Sequence, residues 1–415
     1  MSEGSATRHG VWGPVPPRVR LLILATVINA LAFGYFLIYV MAFMPEIGVT
    51  PAVVGTIFAI EGAALVLAGI PLAMLSDRLG RKWFVIVGSG IFPVTVLVFG
   101  LTLDVNLLYA ASALGGVAEA ALLSSWNAMI ADQTDLSNRD SAFSLSFIVS
   151  TAAFSLGSAI PLSFGSIEGS LGISAQTVHS WAFIVLGVAN ISSPVLLWWL
   201  LRNYHEKLPE KKTEGVKLGV MRQTLKFSLI NSIIGLGAGL IIPLIGTWLW
   251  LKFAVPDGIS GPYLALSGIT IAFAAVASPK VSRKIGLFPA ILTTAGSSTV
   301  FMFSLAFVPN IYAVGGLYLV RAALMNMNSP LMDSFLMGIT PPNRRGLAST
   351  INAVIWRIPN NASTFIGGYI LTYSVFDVPS LGISHLDLPW VLATGLYVVG
   401  IVLLYTSFRN VRPTL

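Results

Sequence analysis

Five ionisable residues stand inside long apolar stretches of this 415-residue chain: Glu61, Glu119, Arg321, Asp333 and Arg357. A charge at bilayer depth costs about 2.5–3.5 kcal/mol on insertion scales, so such residues face a cavity or one another. Glu61 and Glu119 are the proton-coupling candidates, because desolvation favours the neutral form of a carboxyl group and brings its exchange toward ordinary pH. Arg321 and Arg357 stay charged in any site. They suit an anionic group on a solute, or a carboxylate across the cavity. Asp333 is expected at a gate or a cap. Each carboxylate could equally be a paired residue that only sets packing.

Polar and aromatic residues fall at similar depths. The first half offers Asn29, Tyr35, Tyr39, Trp126 and Asn127; the second offers Asn231, Asn326, Asn328, Trp356, Asn360 and Asn361. On a cavity face they suit an amphipathic organic solute, although Asn also hydrogen-bonds between helices. Other chemistries are poorly supplied. There is no cysteine, and His9, His179, His205 and His385 fall in expected loops or in the N-terminal tail. No catalytic group, metal or cofactor is therefore expected, and no Gly-rich phosphate loop is present. A membrane-embedded enzyme and a transport-like receptor are the remote alternatives.

The elements that must position these residues are membrane helices. Hydrophobic residues make up 55% of the chain and charged residues 10%, against about 25% charged in soluble domains. Apolar runs fall at 21–43, 52–75, 83–103, 107–131, 141–165, 180–201, 227–251, 262–279, 287–308, 311–339, 347–373 and 388–407. Each reaches or approaches the ~20 residues that span a bilayer, which predicts twelve helices. The net charge of +7 does not signal nucleic acid, because the basic residues sit in short loops. All of the 24 Lys and Arg residues except Lys252, Arg321 and Arg357 fall on one side if both termini are cytoplasmic. That bias predicts a multi-pass cell-membrane protein with both ends inside. The first twenty residues are polar and Pro-rich, and the run after them is too long for a cleavable signal.

Segments 1–20 and 408–415 read as cytoplasmic tails, 21–201 and 227–407 as six-helix halves, and 202–226 as the solvated linker between them. The halves repeat. The charged turn Ser76-Asp77-Arg78-Leu79-Gly80-Arg81-Lys82 returns as Val281-Ser282-Arg283-Lys284-Ile285-Gly286. Ser137-Asn138-Arg139-Asp140-Ser141 is echoed by Pro342-Asn343-Arg344-Arg345-Gly346, and Val27-Ile28-Asn29-Ala30 by Leu229-Ile230-Asn231-Ser232. Parallel repeats about an axis normal to the membrane are a plan used by secondary transporters.

On the turn after the second helix, the duplication and the central linker, the chain resembles the major facilitator superfamily over essentially its whole length. That family's signature reads small-x-x-x-Asp-Arg-x-Gly-Arg-Lys, filled here by Ala73, Asp77, Arg78, Gly80, Arg81 and Lys82. The resemblance implies an all-α fold of two pseudo-symmetric six-helix halves. It also implies a cytoplasmic gate at Asp77 and its basic neighbours, with Asp132 and Arg139 as a charge relay beside it. There are departures. Ala73 stands where glycine is usual, Ser112 where drug antiporters often carry arginine, and Arg283 at the second-half equivalent of Asp77. The fifth-helix Gly-Pro signature is not clear, although Gly157 and Pro161 lie nearby. The expected function is secondary transport of a small organic solute by alternating access, proton-coupled, with efflux or exchange favoured. Uptake of an organic anion recognised by the intramembrane arginines is the alternative.

Overall fold

The structure, a computed structural model, describes residues 15–135, 138–204, 218–341 and 345–411. The side chains of Asp77, Ser124, Asp140 and residues 218–221, 271, 272, 275, 276, 346 and 347 lie outside that description, as do Arg344, most of the expected linker, most of the expected N-terminal tail and half of the expected C-terminal one.

Twelve long helical segments follow one another. In the first half they are α1 (Pro17–Glu46), α2 (Pro51–Leu79), α3 (Arg81–Leu101), α4 (Val105–Asp132), α5 (Arg139–Ala159, continued to Leu171) and α6 (Ala175–Leu201). In the second half they are α7 (Leu218–Gly239, continued by Ile245–Phe253), α8 (Asp257–Ile285), α9 (Leu287–Phe307), α10 (Ile311–Ile339), α11 (Arg345–Thr372) and α12 (Leu388–Phe408). Among the described residues, nine are long and apolar enough to cross a membrane by length and composition. The other three, α8, α10 and α11, are as long but carry charges or internal prolines. α7 begins at Leu218, inside the stretch expected as linker.

Local chemistry sets the ends. Asp104 accepts hydrogen bonds from the Asn106 and Leu107 amides and so caps α4. Asn310 does the same for α10 through Tyr312 and Ala313. Arg139 donates to the Ala131 and Thr134 carbonyls, closing the end of α4, and Arg345 donates to Met337 and Thr340 at the end of α10. Gly80 and Gly286 end α2 and α8 at φ 97° and φ 91°. These pairs share one constant offset, so the duplication reaches individual caps. They also show that Arg345, not Arg344, is the equivalent of Arg139.

Both turn glycines occupy a region that costs other residues about 1–3 kcal/mol. Gly80→Ala and Gly286→Ala are therefore expected to lower thermal stability in detergent by similar amounts, read as a shift in the unfolding midpoint. Unequal shifts would mean that the two turns are not equivalent.

Within each half the same helices pair: α1 with α5 and α7 with α11, α2 with α4 and α8 with α10, α3 with α6 and α9 with α12. Between halves, α2 packs on α11 and α5 on α8. Contacts between halves gather at the end opposite the charged α2–α3 turn. There the Thr247 hydroxyl donates to the Met41 carbonyl at 2.7 Å and the Ala52 amide to the Thr372 hydroxyl at 2.9 Å. Met41 lies in a π-helical turn, Tyr39–Phe43, where carbonyls leave the regular i to i+4 ladder. Toward the basic end α5 and α8 part around an apolar crevice of about 750 Å³, bordered by Phe147, Leu156, Leu266 and Phe273.

Candidate functional site

Two cavities, one lined by each half, adjoin and form the two lobes of the candidate site. The first-half lobe, about 270 Å³, is lined by Asn29, Phe33, Glu61, Phe92, Glu119 and Trp126. The second-half lobe, about 460 Å³, is lined by Ile234, Arg321, Met325, Asn326, Asn328, Asp333, Trp356, Arg357 and Tyr397, among others. The lobes meet at an ion pair. Arg357 on α11 places its Nη1 3.6 Å from Oε1 of Glu119 on α4, and both side chains are about one-third exposed at 36% and 31%.

α2 and α4 bring Glu61 into the same field. Gly116 on α4 lies so close to α2 that a Cβ there would fall on the Glu61 carbonyl. The Glu61 side chain turns into the first lobe, is 8% exposed and feels the charges of both Glu119 and Arg357. The remaining amides are mostly committed to the helices. Asn326 donates to the Ala322 carbonyl, Asn328 accepts from Thr294, Asn231 donates to Asn352, and Asn360 donates to the Gly235 carbonyl. Trp126 donates to the Ser146 hydroxyl.

Several expectations need correction. Tyr35 and Tyr39 do not line the cavity. They are 0% and 3% exposed and pack with Phe43, Phe164, Phe183 and His179 at the end opposite the basic turn. Asn361 also leaves the cavity, lying over Gly62 where α2 meets α11. On α2 itself, Gly55 and Gly62 meet α11, whereas Gly69 faces open space. Asp333 lines the second lobe rather than a cap. At the basic turn, Asp132 pairs with Arg81 at 2.5 Å, while Arg139 closes its own turn and does not reach Asp132. Lys82 donates to the Arg202 carbonyl and Arg78 is exposed. The side chain of Asp77 lies outside the described residues.

The largest omission is His179. It is not in a loop but inside α6, 1% exposed, because Ser174 caps that helix by accepting from the Thr177 amide. The Ser-Ala-Gln-Thr run was the signal for an earlier helix start. His179 Nδ1 lies 2.8 Å from the Tyr35 hydroxyl, and Nε2 lies 3.2 Å from Asp257 Oδ2 on α8, off the hydrogen-bond line. The Asp257 amide in turn donates to Glu46 on α1. A buried polar cluster thus ties the halves together. Leaving a buried partner unsatisfied costs about 1–3 kcal/mol. Glu46→Ala, which strands the Asp257 amide, and His179→Phe, which strands the Tyr35 hydroxyl and removes the polar group beside the Asp257 carboxylate, are expected to raise the population open at this end at least about fivefold. The chain has no cysteine, so spin labels on Leu171→Cys and Val375→Cys would report the opening as longer distances. Unchanged distances in both variants would remove the cluster from holding the halves.

Comparison with known proteins agrees with this architecture. A family model described as Major Facilitator Superfamily matches residues 22–360. The curated relatives include Multidrug resistance protein 2 of Bacillus subtilis (strain 168), 36% identical over 97 residues, 23% of each chain. They also include Multidrug resistance protein 1 of the same organism, 23% identical over 335 residues, covering 79% of this chain and 80% of that one. Among solved structures, a bacterial homolog of the human lysosomal transporter Spinster, inward-facing and occupied, aligns with TM-score 0.76 and 15% identity over 94% of this chain and 96% of that one. An auto-inhibited POT family peptide transporter aligns with TM-score 0.74 and 13% identity over 96% and 99%. At those identities the likeness is one of fold. With twelve helices in two matching halves and a family match across most of its length, this chain belongs to the Major Facilitator Superfamily.

Proposed function

We propose that the protein is a proton-coupled secondary transporter that moves a small organic solute across the cell membrane by alternating access. The observation that carries this reading is the Glu119–Arg357 pair, which joins the two halves at the junction of the cavity lobes. A rocking motion that opens the cavity to the other side must separate that pair, and protonating Glu119 removes the attraction. Glu61, nearby and more deeply buried, serves as the second proton site. The basic end is cytoplasmic by the distribution of Lys and Arg. With the halves held at the opposite end, the cavity then opens inward. Efflux or exchange is the favoured direction, supported by the names of the Bacillus relatives.

The test is proton flux in liposomes holding purified protein, with a pH-sensitive dye inside. A panel of lipophilic cations, neutral amphiphiles, sugars and organic acids is added outside. Solute-dependent proton movement is expected for at least one class. Equilibration of a labelled solute with no proton movement would overturn the coupling and return both glutamates to packing.

A further inference from the structure

Arg321 brings a positive charge into the second-half lobe with no counter-charge beside it. Its side chain is 3% exposed, and α10 holds it about 15 Å from that helix's start. Nη2 donates to the Tyr397 hydroxyl at 3.0 Å and lies 3.9 Å from Met302 Sδ, while Nε has no partner. Among the described residues no carboxylate oxygen comes within 4 Å of it, unlike Arg357, whose charge is met by Glu119. Asp333 lines the same lobe but sits roughly 18 Å further along α10. An uncompensated buried guanidinium is costly, and a protein gains from keeping one where an incoming anion completes it.

We propose that Arg321 is the docking point for the carboxylate of an apolar monocarboxylate solute, whose body lies against Ile234, Met325 and Trp356. The proposal rests on reading the two lobes as the solute cavity. One guanidinium presents paired N–H groups that match a single carboxylate. A phosphate monoester would ask for a second cation, and Arg357 is already engaged. A sugar would ask for amide partners, yet Asn231, Asn326 and Asn328 already bond within the helices. The lobe's volume of about 460 Å³ suits a small aromatic acid.

The test uses the full chain in nanodiscs, with 1-naphthoate, 1-naphthamide and 1-naphthyl phosphate as probes, read by thermal shift and tryptophan fluorescence. Naphthoate is expected to bind saturably and the amide not to bind. Arg321→Gln should weaken naphthoate about 10–100-fold, as loss of a charged hydrogen-bonding partner predicts, and Arg321→Lys should fall between. Ala353→Phe, which narrows the lobe without touching the charge, should abolish binding. Equal binding of acid and amide, tighter binding of the phosphate, or full affinity in Arg321→Gln or Ala353→Phe would each overturn the assignment. The acid–amide comparison in the unmodified protein decides even if Arg321→Gln does not fold. Solute-driven proton flux that depends on Glu119 but shows no carboxylate preference would retain the transport reading and remove this one.

Discussion

Glu119→Gln is expected to abolish solute-dependent proton movement in liposomes while exchange of labelled solute continues. Glutamine keeps the side chain's size but cannot take up a proton, so the loss reports chemistry rather than folding. Arg357→Gln is expected to act differently, since it leaves Glu119 titratable and removes only its partner. Breaking a fully buried pair costs about 3–5 kcal/mol. Both side chains are about one-third exposed here, so solvent screening leaves about 1–2 kcal/mol of that. That shifts the balance between the cavity's two orientations about five- to thirty-fold. The checking measurement is the apparent affinity for solute from each side of oriented liposomes. If Glu119→Gln still moves protons with solute, the coupling belongs to Glu61, and Glu61→Gln must then stop it. If both variants move protons, neither carboxylate is the carrier.

Gly116→Val is expected to lose most of the folded protein. A Cβ at this position would fall on the backbone carbonyl of Glu61 and within 2.9 Å of the Ala64 Cβ. Backbone of a packed neighbour cannot swing away as a flexible side chain can, so α2 and α4 would have to separate. Overpacking of a tight interior contact costs up to about 3 kcal/mol, and small residues are what let membrane helices approach this closely. Gly69→Val on the neighbouring helix meets nothing within 4 Å and serves as the control. The monodisperse fraction and unfolding midpoint of both variants check this. Equal behaviour would mean that α2 and α4 are not locked at Gly116. Because the same contact positions Glu61, any residual Gly116→Val protein should also couple protons poorly.

The twelve helices, the two halves and the charged turn were all legible in the chain. Span length, loop charge and repeated caps are local quantities, and the bilayer forces every backbone amide into a helix. The ionisable residues were legible for the same reason, since a charge in an apolar run is conspicuous without any structure. Their partners were not. Arg357 could have faced Glu61, Glu119 or a solute, and only the packing of α11 on α2, which in turn packs on α4, pairs it with Glu119. Arg321 carried the same sequence signal, yet α10 and α12 give it Tyr397 and no acid within 4 Å among the described residues.

Depth along a helix was readable, but the face it presents was not. Tyr35 and Tyr39 have the depth and character of cavity residues, yet the rotation of α1 and its π-helical turn aim them at His179. Asn361 and Asn360 are adjacent, and one lies over Gly62 while the other donates to Gly235. Membrane helices are apolar around most of their surface, so no polar stripe marks the inward side. What the sequence determined by itself was the set of charges, their depths and the scaffold that repeats around them. Which of those charges meet, and which one has no acid beside it among the described residues, was decided by helix rotation and close approach between segments far apart in the chain.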